Sequence, residues 1–190
     1  MLKVGYGLAI SAMLVVGQGV TPLSAGDPAK LAQALTAPIV EGRNLAGVRV
    51  GATEGEVVVA VGVPDRIDPS RPGSGAPFKV ALYFIATPVT LLRVVFREGQ
   101  VEAVLVMTVN PSQTPALTGK IRGVGLGSPV QAVRAAYGPG TAGRLWYPAA
   151  GIGFNPADRD PADHEVVYAI LVARPGLDDK LVEAYGRVMH

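Results

Sequence analysis

Cysteine is absent from the 190-residue chain. That removes disulfides, thiol nucleophiles and cysteine-ligated metals at once. It also leaves no attachment point for a bacterial lipoprotein anchor. Charge is scarce too: charged residues make up 17% of the chain, well below the roughly 25% of an average domain. A charge-driven disordered chain is therefore excluded. The formal net charge of +2 supplies no broad basic field, so nucleic acid is not expected as a partner. Histidine occurs twice, at His164 and at the final residue, His190. What the chain has instead is 49% apolar residues, 24 glycines and 16 prolines. That is enough for one domain or two small repeated units, with a core that must hold without cross-links.

The first residues read as an address. Met1-Leu2-Lys3 is a short positive start, Val4 to Val20 is mostly apolar, and Pro22 precedes the small residues Ser24, Ala25 and Gly26. This is the three-part pattern of a secretory signal peptide. Cleavage after residue 25 is expected, which leaves no stable membrane span and places the mature protein in the periplasm or secretome. An uncleaved anchor is the competing reading.

Beyond residue 44 the chain repeats itself. Leu45-Ala46-Gly47-Val48-Arg49-Val50-Gly51 matches Ile121-Arg122-Gly123-Val124-Gly125-Leu126-Gly127 at a spacing of 76, and Val57/Val133, Ala60/Ala136 and Gly62/Gly138 keep the same frame. Each copy reads as a short extended segment, a turn and a helix. Thr53 and Glu56 fit a capping box. In the second copy Ser128 is placed as N-cap, with Pro129 at the first helical position. Gly62 and Gly138 stop the helices.

Three strand-like runs follow each helix: 80–85, 91–97 and 101–109 in the first copy, and 144–147, 151–154 and 165–173 in the second. The landmarks align Leu82-Tyr83-Phe84 with Leu145-Trp146-Tyr147, Phe96 with Phe154, and Val101 with Val167. Residues 65–77 are read as a loop, and Glu98-Gly99-Gln100 as a hairpin turn. Asp27-Pro28 opens a first short helix, and 177–188 reads as a closing helix with Leu181, Ala184, Tyr185 and Val188 on its apolar side. The predicted organisation is a signal peptide at 1–25, a lead-in at 26–44, repeats at 45–112 and 113–174, and a C-terminal helix at 175–190. The fold class is α+β, with each repeat packing a helix, or a helix pair, on one face of an antiparallel sheet of about three strands.

The run Gly-Val-Gly-Leu-Gly-Ser-Pro at 123–129, the helix end Tyr137-Gly138-Pro139, then Leu145-Trp146-Tyr147 and Gly151-Ile152-Gly153-Phe154, together resemble the tandem β-lactamase-inhibitor-protein-like domains. The single-copy relative is the SmpA/OmlA type of envelope domain. The resemblance covers roughly residues 45–173 and rests on fold-forming positions. It implies an exported, non-enzymatic domain whose sheet face or loops bind another exported or envelope protein. The inhibitors carry disulfides and place an acidic and an aromatic residue on the first repeat's hairpin. Here that turn is Ala86-Thr87-Pro88-Val89-Thr90, so β-lactamase inhibition is not carried over.

Strand alternation nominates the contact face. It sets Leu92, Val94 and Phe96 against Arg93, Val95 and Arg97. It turns Leu82 and Phe84 inward with Tyr83 outward, and Leu145 and Tyr147 inward with Arg144 and Trp146 outward. Tyr83, Arg93, Arg97, Arg144 and Trp146 are thus the candidate partner-binding residues, of types enriched in interface hot spots. The competing reading is an ordinary sheet surface, with arginine stems covering it or Trp146 tucked under the closing helix.

An enzyme would have to draw on His164 and the acidic loop around it. Asn155, Asp158, Asp160, Asp163 and Glu165 offer oxygen ligands, but no EF-hand spacing joins them. Asp158, Asp160 and Asp163 are the nearest approach to a metal site, and none is assigned. No Gly-x-Ser-x-Gly elbow is present. Ser128 stands where a Rossmann glycine belongs, and no Lys-Ser/Thr completes a P-loop. The sequence therefore predicts a non-catalytic binding domain without a cofactor. The alternatives are a metal-dependent or hydrolytic enzyme using the 158–165 loop, or a purely structural envelope component. Oligomeric state and partner identity are not legible.

Overall fold

A computed structural model describes residues 27–70, 77–86, 89–109, 119–140, 145–157 and 165–187. The expected signal peptide, Arg144, and the loop residues Asp158, Asp160, Asp163 and His164 lie outside the described residues. The chain begins with α1 (Pro28–Leu35), whose first N–H groups at Ala29 and Lys30 donate to the Asp27 carboxylate. A two-residue hairpin, β1 (Asn44–Leu45) and β2 (Val48–Arg49), leads to α2 (Glu54–Val61). The capping box forms as the sequence predicts: Thr53 Oγ1 accepts from the Glu56 N–H, and the Glu56 carboxylate accepts from the Thr53 N–H.

Four strands follow: β3 (Arg66–Ser70), β4 (Phe78–Ala86), β5 (Val89–Arg97) and β6 (Gln100–Thr108). After α3 (Val130–Tyr137) come β7 (Leu145–Tyr147), β8 (Ile152–Ala157), β9 (Val166–Ala173) and α4 (Asp179–Arg187). The architecture is α+β, but β3 to β9 make one antiparallel sheet of seven strands in the order β3-β4-β5-β6-β9-β8-β7. Separate sheets of about three strands do not form, because β6 pairs directly with β9, Leu105 opposite Leu171. The loop read over residues 65–77 is also corrected. Its first part is β3, paired on one side only with β4. An edge position tolerates the missing N–H of Pro69.

Positions 76 apart share local geometry. Helices α2 and α3 span matching residues, and φ is 85° at Gly51 and 77° at Gly127, and 94° at Gly62 and 89° at Gly138. Such angles favour glycine because a Cβ would crowd the backbone. The Gly51 N–H donates to the Val101 carbonyl and the Gly127 N–H to the Val167 carbonyl. The caps differ. Helix α3 begins one residue later than expected, after Pro129, and Ser128 Oγ instead accepts from the Gly125 N–H.

Each face of the sheet carries a packed cluster. Helices α1, α2 and α3 cover one, over Tyr83, Leu92, Val94, Phe96, Val104, Val106, Phe154 and Ile170. On the other face Phe78, Val80, Val95, Ala103, Ala173 and Trp146 cluster with Leu177 and Tyr185 of the C-terminal segment. The expectation of helices on one face alone is thus corrected: α4 lies on the opposite one. Among the described residues, no helix is long and apolar enough to cross a membrane.

Candidate functional site

Residues directly opposite one another on adjacent strands share a face. One register row therefore crosses the α4 side of the sheet: Arg66, Leu82, Arg93, Leu105, Leu171, Gly153 and Trp146. It carries two of the sequence-nominated residues, Arg93 and Trp146, and both are buried.

Tyr83 is not among them. It pairs with Leu92, sits in the helix-side core and is 1% exposed, whereas its neighbour Phe84 is 52% exposed. The expected facing of this strand is reversed. Residues 80–85 are apolar on both sides, so alternation alone cannot choose a face, and the pairing register decides. Strands β5 and β7 face as predicted, with Leu145 and Tyr147 toward the helices and Trp146 away.

Trp146 lies over Gly153: a Cβ on that glycine would stand 2.9 Å from the indole Cε3. The ring is 4% exposed, so it is covered rather than offered as an open surface, and its Nε1–H is buried without an acceptor. Arg97 is committed elsewhere. Its guanidinium lies 3.6 Å from the Glu102 carboxylate, which Arg174 approaches to 3.5 Å and to which the Tyr185 hydroxyl donates a short hydrogen bond. The Tyr185 ring also meets Phe78 edge-on at 5.0 Å. These contacts hold α4 on the sheet. Burial, reinforced by Glu102, pushes the Tyr185 phenol well above the ordinary tyrosine value. Glu102 and Tyr185 were not nominated as site residues, although a lone carboxylate inside the apolar run Val101–Val106 is a visible signal.

Among the described residues, no carboxylate pairs with Arg93. It is 2% exposed, and its Nε and Nη1 are buried without acceptors. Burial lowers the pKa of its guanidinium, and the field of Asp68 opposes that shift. Asp68 is itself engaged by Arg66 through Nε–Oδ1 at 2.6 Å, a bond that holds its carboxyl below the usual range. A guanidinium stays protonated at any ordinary pH, so this group can hold an anion but cannot shuttle a proton.

Beyond Arg93, toward the β4–β5 hairpin, the next row runs Phe84, Leu91, Met107 and Ala169. Phe84 and Val89 are about half exposed and Val109 is 44% exposed, while Leu91 and Met107 are partly buried. Helix α4 packs on the other end of this face, so the hairpin end presents apolar surface. Glu165 is exposed and its carbonyl accepts from the Val130 N–H. Among the described residues, no group of three or more His, Asp or Glu side chains is placed to hold a metal.

No protein-family model matches the chain. No curated protein matches it either. Among solved structures it is similar to a cysteine-rich secretory protein from Staphylococcus aureus, at 16% identity and a TM-score of 0.38 over 73% of this chain and 49% of that one. The chain thus spans about half the length of that protein.

Proposed function

We propose that the chain is an exported, non-catalytic protein-binding domain of the cell envelope or secretome, and that it is built from two tandem copies of one unit. The observation that carries the binding role is the exposed apolar end of the α4-side face, where Phe84 and Val89 stand about half exposed near the buried Arg93, which has two nitrogens without acceptors and no ion pair among the described residues. Large apolar residues clustered in the open beside polar groups are the usual mark of a protein contact. Export rests on the signal-peptide pattern of residues 1–25.

The duplication is supported by the shared geometry at a spacing of 76 and by the centre of the sheet. Leu105 and Leu171, which pair there, are 66 apart, the spacing that relates Val101 to Val167. Counting outward along the row, Arg93 matches Gly153 and Leu82 matches Trp146. The first strand of each copy therefore aligns at a spacing of 64, one more than the landmark Leu82/Leu145 implies. Phe154 then matches Val94, not Phe96. A slip of one residue exchanges the faces, and with the corrected spacing Tyr83 matches Tyr147, on the helix side.

The test is capture from a cell-envelope fraction with tagged 26–190 protein, compared with Phe84→Asp and with Val59→Asp, which changes an exposed residue of α2. A partner retained by Val59→Asp and lost with Phe84→Asp supports the reading. A partner retained by both variants, or no partner at all, removes this face as a binding surface.

A further inference from the structure

We infer that the apolar end of the α4-side face binds a partner segment that carries a carboxylate between apolar side chains, and that Arg93 is the residue that receives the acid. This rests on the protein-binding reading above and supplies the chemistry of the partner.

The argument starts from how this face treats its cations. Arg66 is paired with Asp68, and Arg97 and Arg174 share Glu102. Arg93, the most buried of the four, has no carboxylate within ion-pair distance among the described residues, and two of its nitrogens have no acceptor. Its row neighbours are Leu82 and Leu105. A guanidinium cannot relieve that cost by losing its proton. The field of Asp68 reaches Arg93, but that carboxylate is bonded to Arg66, and a buried guanidinium with no carboxylate in contact is unfavourable, so an anion delivered to this position is bound with benefit.

The surroundings narrow the class of anion. Leu91 stands two residues from Arg93 on the same side of β5, opposite Met107, and Phe84 and Val89 continue the surface outward. An inorganic ion would leave this apolar rim unused. An Asp or Glu flanked by apolar residues uses both parts: the carboxylate meets Arg93 in a charge-assisted hydrogen bond, and its neighbours cover Phe84 and Val89. Leu91 and Met107 lie on the same side of the sheet one row from Arg93 and are partly exposed, so an entering acid is accommodated by their turning. Rotamer changes of this kind are common when interfaces form.

The probe is a phage-displayed random dodecapeptide library, selected on the 26–190 protein. Enriched sequences should carry an Asp or Glu between apolar residues. Each is then synthesised as the acid and as its amide counterpart, Glu→Gln or Asp→Asn. The acid should bind wild-type protein at least about tenfold more tightly, as expected for a buried charge-assisted bond. On Arg93→Met the two forms should bind equally, and on Arg93→Lys the preference should shrink. Arg93→Met should also melt no lower than wild type, since it removes an unpaired charge from an apolar setting. The inference is overturned if no peptide is enriched, if enriched peptides lack an acid, if the acid preference survives Arg93→Met, or if Arg93→Met melts well below wild type. If the envelope partner is captured by Arg93→Met as well as by wild type, yet lost with Phe84→Asp, the binding surface stands and the role of Arg93 falls.

Discussion

Replacing Trp146 by phenylalanine and by alanine separates what its ring contributes from what its N–H costs. The ring is 4% exposed, lies against Gly153, and packs in the cluster that holds Leu171, Leu177 and Tyr185. An indole of this burial removes about 200 Å² from water, worth about 5 kcal/mol at 25 cal/mol per Å² and somewhat less against a compact unfolded chain. The buried Nε1–H has no acceptor, a cost of about 1–3 kcal/mol. Trp146→Ala forfeits the first and recovers the second, for a net loss of about 3 kcal/mol. Trp146→Phe keeps most of the area and recovers the same cost, so its net change is close to zero. At about 2–4 °C per kcal/mol for a domain of this size, the alanine variant should melt about 10 °C lower and the phenylalanine variant within about 2 °C of wild type. The assay is far-UV circular dichroism of the 26–190 protein. Because Trp146 is the only tryptophan, a blue-shifted native emission that resists iodide quenching checks its burial independently. A phenylalanine variant that falls as far as the alanine variant refutes the unpartnered N–H. An alanine variant that melts like wild type refutes the buried ring.

Two further outcomes follow from the geometry. Burial first, with Asp65 and Glu54 adding to it, raises the Tyr83 phenol to about 12, and Tyr185 is raised by burial and Glu102. A raised phenol stabilises the fold below the unfolded tyrosine pKa of about 10, and that contribution is lost as pH climbs through the folded value. The melting temperature should therefore decline from about pH 10 upward, together with the rise of tyrosinate absorbance. A flat profile to pH 12 contradicts the burial of both rings. Thr53→Ala removes the hydroxyl that accepts from the Glu56 N–H and should cost about 1 kcal/mol, read as a melting temperature lower by a few degrees. An unchanged melt shows that the capping box does not support α2.

What could be read along the chain was local. The Thr53–Glu56 box, the Asp27 cap, the Glu98-Gly99 turn and the glycine stops at 62 and 138 depend on neighbours within a few residues, so the sequence alone determined them. The alternation of β5 was equally legible, because Arg93 and Arg97 mark one side of it. Tertiary structure decided the rest. The 80–85 run is apolar at every position, and only its pairing with β5 turned Tyr83 inward and Phe84 out. Strand β3 contains a proline and reads as loop, yet one partner strand suffices to form it at an edge. The union of the two strand groups depends on the pairing of Leu105 with Leu171, far apart in sequence, which no local pattern signals. The burial of Arg93, with no ion pair among the described residues, depends in turn on that assembly. A side chain's charge is written in the sequence, but whether it has a partner is a property of everything packed around it.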